Sequence, residues 1–290
     1  MLYTTPTMIT IRSFSSQSLI GLALLSATAI FTQTAIAETI TGQSGNVRAE
    51  ISYEKPEEYK YKNVRLKIIR AGKTVLDQKL PQEDEYDRPL GNISEQENNL
   101  PVQDLDGNKE PEIIADFFTG GAHCCTYSLI YRYDSKSQKY LKIRHEWGNG
   151  GYQLKDLDKD GLPEFDSRDD RFAYAFTAYA ASAYPLQIWH YRQGKMVDVT
   201  RRYPKLISNH ASELWQTYTQ ARQQGDDGKG FLAAYLADKY LLNQGQDGWG
   251  RVQQAYKKSD RTKFFADLRK FLRETGYIKK ISSEQLIHNS

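Results

Sequence analysis

Residues 103–112 read QDLDGNKEPE, and residues 155–164 read KDLDKDGLPE. The two stretches carry the same acidic pattern at an offset of 52 residues. Further along, the stretch IYRY at 130–133 is matched by IWHY at 188–191, at an offset of 58 residues. A pattern that recurs within one chain indicates a duplicated structural unit. We interpret each unit as an acidic loop, two strands, a turn and a third strand.

The chain before the first repeat also has the pattern of β structure. Residues 63–68, NVRLKI, alternate polar and apolar side chains, which is the period of a half-buried strand. The Ala-Gly-Lys turn at 71–73 then predicts a hairpin within residues 46–80. We expect residues 38–45 to form a flexible lead, and the acidic residues 82–99 to form a surface loop.

After Pro204 the apolar period changes from 2 to 3.6 residues, which predicts helices. Apolar stripes recur along the rest of the chain, at Leu214–Ala221, Phe231–Leu242, Trp249–Tyr256 and Phe264–Leu272. We interpret these stripes as the core of a helical region. The predicted fold class is therefore α+β, with antiparallel β-repeats followed by a C-terminal α-helical region.

The acidic pattern has the spacing of a loop that wraps a cation. Calcium prefers several oxygen ligands, which such loops supply from positions 1, 3 and 5, a backbone carbonyl at position 7, and position 9. In the first loop these donors are Asp104, Asp106, Asn108, the carbonyl of Glu110, and Glu112. In the second loop they are Asp156, Asp158, Asp160, the carbonyl of Leu162, and Glu164. We predict one structural calcium ion in each loop.

The two loops differ from EF-hands and from each other. Position 12, where an EF-hand carries a bidentate glutamate, holds Ala115 and Ser167. Gly161 permits the bend at position 6 of the second loop, whereas the first loop has Lys109 there. Because the second loop also has four carboxylates to the first loop's three, we expect it to bind calcium more tightly.

The strings DLDGNKEPE and DLDKDGLPE resemble the calcium loops of FG-GAP and VCBS-type repeats, the blades of integrin-like β-propellers. The resemblance covers about residues 100–203 and implies calcium ligation by the acidic and amide side chains of both loops. A closed propeller needs about four or more blades. We therefore expect two propeller-blade-like units and a hairpin in an open assembly, not a closed propeller, covered in part by the helices.

The N-terminus has the pattern of a signal peptide. Residues 19–31 form an apolar run that is too short to span a bilayer, and Ala35-Ile36-Ala37 provides a small-x-small cleavage site. A retained membrane anchor is the alternative. The predicted organisation is a signal peptide at 1–37, a β-repeat domain at 38–203 and a helical domain at 204–290. The mature chain would be periplasmic or extracellular, with no transmembrane span after cleavage.

The whole chain also resembles uncharacterised exported bacterial proteins that share the segment GGAHCCT, here residues 120–126, and that resemblance implies no activity. Cys124 and Cys125 could form a vicinal disulfide, remain buried thiols or pair with another chain. With His123 they could instead serve redox or soft-metal chemistry. A second alternative is an exported enzyme with its site near Asp169 and Asp170.

Charge and motifs narrow the function further. The formal net charge is +3 and no long basic run is present, which argues against a nucleic-acid-binding protein. The sequence has no phosphate-binding glycine loop, nucleophile elbow or HExxH motif. We predict a binding or scaffold module, rather than an enzyme, whose partner is a protein or glycan outside the cytoplasm.

Overall fold

The computed structural model describes residues 36–82, 84–122 and 124–279. Except for Ile36 and Ala37, the predicted signal peptide lies outside the described residues. His123, part of the predicted soft-metal set, lies outside them as well.

The first sheet has four antiparallel strands in chain order, namely β1 (Ile36–Ser44), β2 (Val47–Glu57), β3 (Lys60–Arg70) and β4 (Lys73–Lys79). The expected flexible lead at 38–45 is therefore wrong, whereas the expected hairpin around residues 71–73 is present as β3 and β4. β1 pairs with β2 along its whole length. The physical reason is local, because Ile40 is buried between the β-branched residues Thr39 and Thr41, and Gly45 adopts the left-handed conformation of a tight turn.

The second sheet contains the first repeat. Its strands are β5 (Arg88–Pro89), β6 (Val102–Gln103), β7 (Glu112–Gly121), β8 (Cys124–Asp134) and β9 (Lys139–Gly148). The order is β5-β7-β8-β9, and β6 also pairs with β7. The short strand β5 lies within the predicted surface loop and β6 follows its end, so that segment is held to β7 at two places.

The third sheet contains the second repeat. Its strands, in the order β10-β11-β12-β13, are β10 (Tyr152–Lys155), β11 (Glu164–Arg168), β12 (Leu186–Arg192) and β13 (Lys195–Asp198). In both repeats the acidic loop is followed by strand, strand, turn and strand, as predicted. Between β11 and β12 the second repeat carries a longer connection with two short 3-10 helices, Asp170–Phe172 and Tyr179–Ala181. The described strands close no sheet into a barrel or ring.

The second sheet is buried on both faces. Ile113 and Phe117 of β7 lie in a core shared with the first sheet. Ile114 points the other way, into a core with Trp147 and with Phe165 of the third sheet. Successive side chains of a strand point to opposite faces, so β7 supplies apolar residues to both cores.

The C-terminal region is helical, which confirms the α+β class. The helices are α1 (Pro204–Gln223), α2 (Lys229–Leu241), α3 (Gly245–Ala255) and α4 (Arg261–Glu274). Their buried stripes form one core, as the 3.6-residue period predicted. None of the helices in the described ranges combines the length and the apolar character needed to cross a membrane.

Candidate metal sites in two acidic loops

Loop 1, residues 104–112, folds around the carboxylate of Asp104. One oxygen of Asp104 accepts from the backbone N–H of Gly107 at 2.8 Å, and the other accepts from Lys109 N–H at 2.7 Å. Glu112, the first residue of β7, is buried, and its Oε2 accepts from Leu105 N–H at 2.9 Å. The loop therefore curls back over its own first and last acidic residues.

Loop 2, residues 156–164, repeats this arrangement. The carboxylate of Asp156 accepts from the N–H groups of Asp160 and Gly161 at 3.1 and 3.0 Å. Glu164, the first residue of β11, is buried and accepts from Leu157 N–H at 2.9 Å. The two loops thus fold in the same way around equivalent residues.

Both loops need left-handed backbone at positions 4 and 6. Loop 1 places Gly107 (φ +80°) at position 4 and Lys109 (φ +67°) at position 6. Loop 2 reverses the order, with Lys159 (φ +63°) at position 4 and Gly161 (φ +88°) at position 6. The absence of glycine at position 6 therefore does not change the shape of loop 1, which has its glycine two residues earlier.

Three acidic side chains converge in each loop. Carboxylate oxygens lie within 4.8 Å of one another for Asp104, Asp106 and Glu112, and likewise for Asp156, Asp158 and Glu164. Calcium–oxygen distances are about 2.3–2.6 Å, so oxygens on opposite sides of one ion are separated by about 5 Å. The spacing in both loops therefore fits a shared cation.

One oxygen of each buried glutamate has no hydrogen-bond donor among the described residues. These atoms are Glu112 Oε1 and Glu164 Oε1, both almost free of solvent contact. Burial raises the pKa of Glu112 to about 8, and the nearby carboxylates of Asp106 and Asp104 act in the same direction. A divalent cation would add positive charge beside these buried carboxylates.

The remaining predicted donors have other contacts within the loops. Asn108 Oδ1 accepts from Glu110 N–H at 2.7 Å, and Asp160 Oδ1 accepts from Leu162 N–H at 2.9 Å. The three converging side chains of loop 2 do not include Asp160. Ligation by these side chains, and by the carbonyls of Glu110 and Leu162, stays a prediction.

Each loop is held by a neighbouring part of the fold. Glu110 of loop 1 forms an ion pair of 2.6 Å with Arg70 at the end of β3. Asp106 Oδ2 accepts from Gln193 N–H, in the turn between β12 and β13, at 3.1 Å. Loop 1 therefore contacts all three sheets.

Loop 2 contacts the beginning of the helical region. Asp158 Oδ2 lies 3.5 Å from Arg202 Nη2 and 3.4 Å from the hydroxyl of Tyr203. Tyr203 immediately precedes α1, and burial raises its pKa, with the neighbouring Glu164 carboxylate acting in the same direction. A rearrangement of loop 2 would therefore disturb the contacts at the junction between the sheets and the helices.

The side chain opposite each buried glutamate was not predicted from the sequence. β7 pairs with β8 with Ile113 opposite Tyr131, and one step further along this register Glu112 faces Arg132. β11 pairs with β12 with Phe165 opposite Trp189, so Glu164 faces His190 in the same way. The 58-residue offset already matched Arg132 to His190, but only the strand register places them beside the acidic loops.

The alternative site around Asp169 and Asp170 borders a cavity of about 610 Å³. Asp169 is buried, and its carboxylate accepts from Arg171 at 2.6 and 2.8 Å and from the Tyr277 hydroxyl at 2.8 Å. Asp170 accepts from the backbone N–H of Asn149 at 3.1 Å. The oxygens of Asp169 thus serve structural donors, which disfavours its use as a general base.

The sulfur atoms of Cys124 and Cys125 are bonded to each other in a vicinal disulfide. Of the three alternatives for this pair, the structure contains the first. A disulfide offers no thiolate, which is the form in which cysteine binds soft metals. The pair as it stands in the structure is therefore not a soft-metal site.

The fold and its two loops define a mixed α+β protein with paired acidic sites. The model of the sll0997 C-terminal domain matches residues 207–276, within the helical region. One relative, the probable thylakoid lumen protein sll0997 of Synechocystis sp. (strain ATCC 27184 / PCC 6803 / Kazusa), is 32% identical over 161 residues, 54% of this chain and 48% of that protein. Another, the uncharacterized protein y4bJ of Sinorhizobium fredii (strain NBRC 101917 / NGR234), is 28% identical over 231 residues, 74% of this chain and 33% of that protein.

The chain thus spans about half the length of the first relative and about a third of the second. No solved structure matches the chain.

The resemblance to FG-GAP and VCBS-type repeats is wrong as a family assignment. The family model that matches is that of sll0997, and it matches the helices rather than the acidic loops. The physical reason is that alternating oxygen donors in a tight turn form a short local pattern, which unrelated chains can share. The spacing of carboxylates in two such loops fits a cation, but it does not identify a family.

Proposed function

We propose that this is an exported protein whose two acidic loops each bind one calcium ion, and that the ions fasten neighbouring parts of the fold together. The observation that carries the proposal is the buried glutamate at position 9 of each loop. Glu112 and Glu164 each present an oxygen without a donor, next to two further carboxylates within 4.8 Å. Without a cation, clustered carboxylates repel one another and oppose this compact turn.

The contacts around the loops support a structural role for the ions. Loop 1 contacts the first sheet through Glu110 and the third sheet through Asp106. Loop 2 contacts Arg202 and Tyr203, where the helical region begins. Calcium in loop 1 would stabilise the stacking of the sheets, and calcium in loop 2 would stabilise the junction with the helices.

Export is supported by the N-terminal pattern and by one relative. Residues 1–37 have the features of a signal peptide. The relative from Synechocystis is named a probable thylakoid lumen protein. Cleavage after Ala37 would leave residues 38–44 of β1 to pair with β2. The mature protein would then act in a periplasmic, lumenal or extracellular space, where calcium is available to weak sites.

In this setting we propose a binding or scaffold module for a protein or glycan, rather than an enzyme. The two repeats offer rigid sheets that calcium would hold in place. A propeller-blade-like description of the repeats remains part of the proposal, since β10–β13 form a four-stranded antiparallel sheet, the size of one blade.

Thermal unfolding with calcium and with chelator tests the proposal. At a calcium concentration of about 100 times Kd, each occupied site should add about 2.7 kcal/mol to the free energy of unfolding. Glu112→Gln and Glu164→Gln should each remove one site's share of this gain. In chelator both variants should be as stable as the wild type or more so, because glutamine keeps an acceptor for the loop N–H without a buried charge.

Asp267→Asn in α4 is a matched control, since Asp267 lies far from both loops in sequence and forms an exposed ion pair with Lys263. This variant should keep the full calcium response. Equal melting of the wild type in calcium and in chelator would refute the proposal.

A further inference from the structure

The two loops differ most in the charge that faces their buried glutamate. Opposite residues of an antiparallel pair have Cβ atoms about 4.5–5.5 Å apart and point to the same face. By the strand register, Arg132 on β8 therefore lies beside Glu112, and His190 on β12 lies beside Glu164. The two pairs occupy equivalent places in the two repeats.

Both facing side chains present a buried nitrogen without a hydrogen-bond acceptor among the described residues. These atoms are Arg132 Nε and His190 Nε2. They accompany the donor-free oxygens Glu112 Oε1 and Glu164 Oε1. In each loop the glutamate oxygen and the facing nitrogen could have formed a hydrogen bond with each other but do not. Both pairs of atoms lie where the acidic loop meets the sheet.

The facing side chains differ in charge. An arginine side chain is always protonated in a protein, so Arg132 carries a fixed positive charge. His190 accepts a hydrogen bond at Nδ1 from Arg192 Nε at 3.0 Å, so Nδ1 carries no proton. With only one ring proton, on Nε2, the imidazole of His190 is neutral. Loop 1 therefore already has a cation beside its glutamate, and loop 2 does not.

We propose that the residue facing the buried glutamate sets the calcium affinity of each loop, so that loop 2 fills first and Arg132 weakens loop 1. The inference rests on the proposed function. A fixed positive charge beside Glu112 repels a cation that enters loop 1, and the register of β7 with β8 keeps Arg132 on that face. In loop 2 the neutral ring of His190 leaves the full negative charge of the carboxylates to the ion.

Two arginines lie near loop 2 and must be weighed against Arg132. Arg202 is half exposed and reaches Asp158 only at 3.5 Å. Arg192 is exposed and lies beyond His190. Solvent screens exposed charges, and both long side chains are free to turn away when an ion enters. Arg132 is only partly exposed and its Nε is buried, so its charge is screened less and its side chain has less room to turn away.

Calorimetric titration with calcium in a Glu164→Gln background isolates loop 1 for the test. In that background Arg132→Gln should tighten calcium binding by about tenfold or more, because the repelling charge is gone. Arg132→Lys keeps the charge and should bind as weakly as the parent. The reciprocal change His190→Arg, made with Glu112→Gln, should weaken loop 2 by a similar factor.

The outcomes separate the inference from the proposed function. Equal affinities for Arg132→Gln, Arg132→Lys and the parent would overturn the inference while calcium binding itself stands. No calcium binding in the wild-type chain would overturn both. If His190→Arg does not fold, the Gln and Lys variants at position 132 decide alone, since each is compared in the same folded background by circular dichroism.

Discussion

Loop 1 and loop 2 have the same shape, but they have different surroundings. Both curl around a first aspartate and end on a buried glutamate that begins a strand. Loop 1 contacts all three sheets, whereas the acidic side chains of loop 2 are more exposed. The buried glutamate of loop 1 faces Arg132, and that of loop 2 faces His190. The duplicated unit has kept the convergence of its carboxylates and varied what surrounds them. The shape of such a loop is therefore set by its own residues, and its surroundings can vary independently.

The largest expected loss of stability comes from truncating one core position that the two repeats share. Phe165 and Ile113 are equivalent at the 52-residue offset and both are fully buried, but Phe165 packs between the second and third sheets and Ile113 between the first and second. Phe165→Ala should lower the free energy of unfolding by about 3–5 kcal/mol and Ile113→Ala by about 2–5 kcal/mol. Urea unfolding measures both.

Leu141→Ala is the control for this pair, because Leu141 is 50% exposed on β9. Its cost should stay within about 0.5 kcal/mol. A loss below about 1 kcal/mol for Phe165→Ala would mean that the second repeat is not packed on the first as described.

A smaller effect concerns pH and a group that only the first repeat has. Asp116 on β7 is completely buried and accepts hydrogen bonds from Tyr152 at 2.9 Å and from Ser128. Burial raises its pKa to about 7. The equivalent position in the second repeat is Arg168.

Because the pKa of Asp116 is higher in the folded chain than the unfolded value of about 3.9, the protonated carboxyl stabilises the fold at low pH. This contribution is complete below about pH 4 and is lost as the pH rises through about 7, at up to about 1.4 kcal/mol per pH unit. Urea unfolding in saturating calcium measures this loss. Between pH 5 and pH 7.5 the free energy of unfolding should fall more for the wild type than for Asp116→Asn, which cannot ionise at this position. The same change of unfolding free energy with pH in both proteins would contradict the assigned role of Asp116.

The smallest expected effects come from replacing the glycine of each loop with alanine. An alanine at Gly161 meets open space but must adopt φ +88°, which costs about 1–2 kcal/mol. An alanine at Gly107 has the same backbone cost and also meets Leu162 at 3.3 Å, so Gly107→Ala should be the more damaging change. Thermal melts in chelator measure both.

Gly250→Ala in α3 provides the opposite control for these changes. The site has open space and ordinary backbone, so alanine should stabilise the helix by up to about 1 kcal/mol. Equal effects at positions 107 and 161 would show that Leu162 moves aside without cost.

The parts of the fold that depend on neighbouring residues could be predicted from the sequence. The period of 3.6 residues after Pro204 predicted the helical region, and the duplicated acidic strings predicted two equivalent loops that each lead into a strand. The convergence of carboxylates could be anticipated because the donors alternate within nine residues. Calcium ligation itself stays a prediction.

The parts that depend on distant residues could not be predicted in the same way. Residues 38–45 looked like a lead because Ile40 is one apolar residue among polar ones, and only pairing with β2 gives them a place. Arg132 lies 20 residues from Glu112 and His190 lies 26 residues from Glu164, so strand register decides their role. The acidic strings also suggested the wrong family, because the family match lies in the helices.

The most direct test of the account is a count of bound ions. Native mass spectrometry of the mature chain, after exchange into a calcium-containing volatile buffer, should find two calcium ions on the wild type. It should find one on Glu112→Gln, one on Glu164→Gln and none on the double variant, each with unchanged circular dichroism. A wild-type chain that retains no calcium, or a double variant that still retains two ions, would contradict the account.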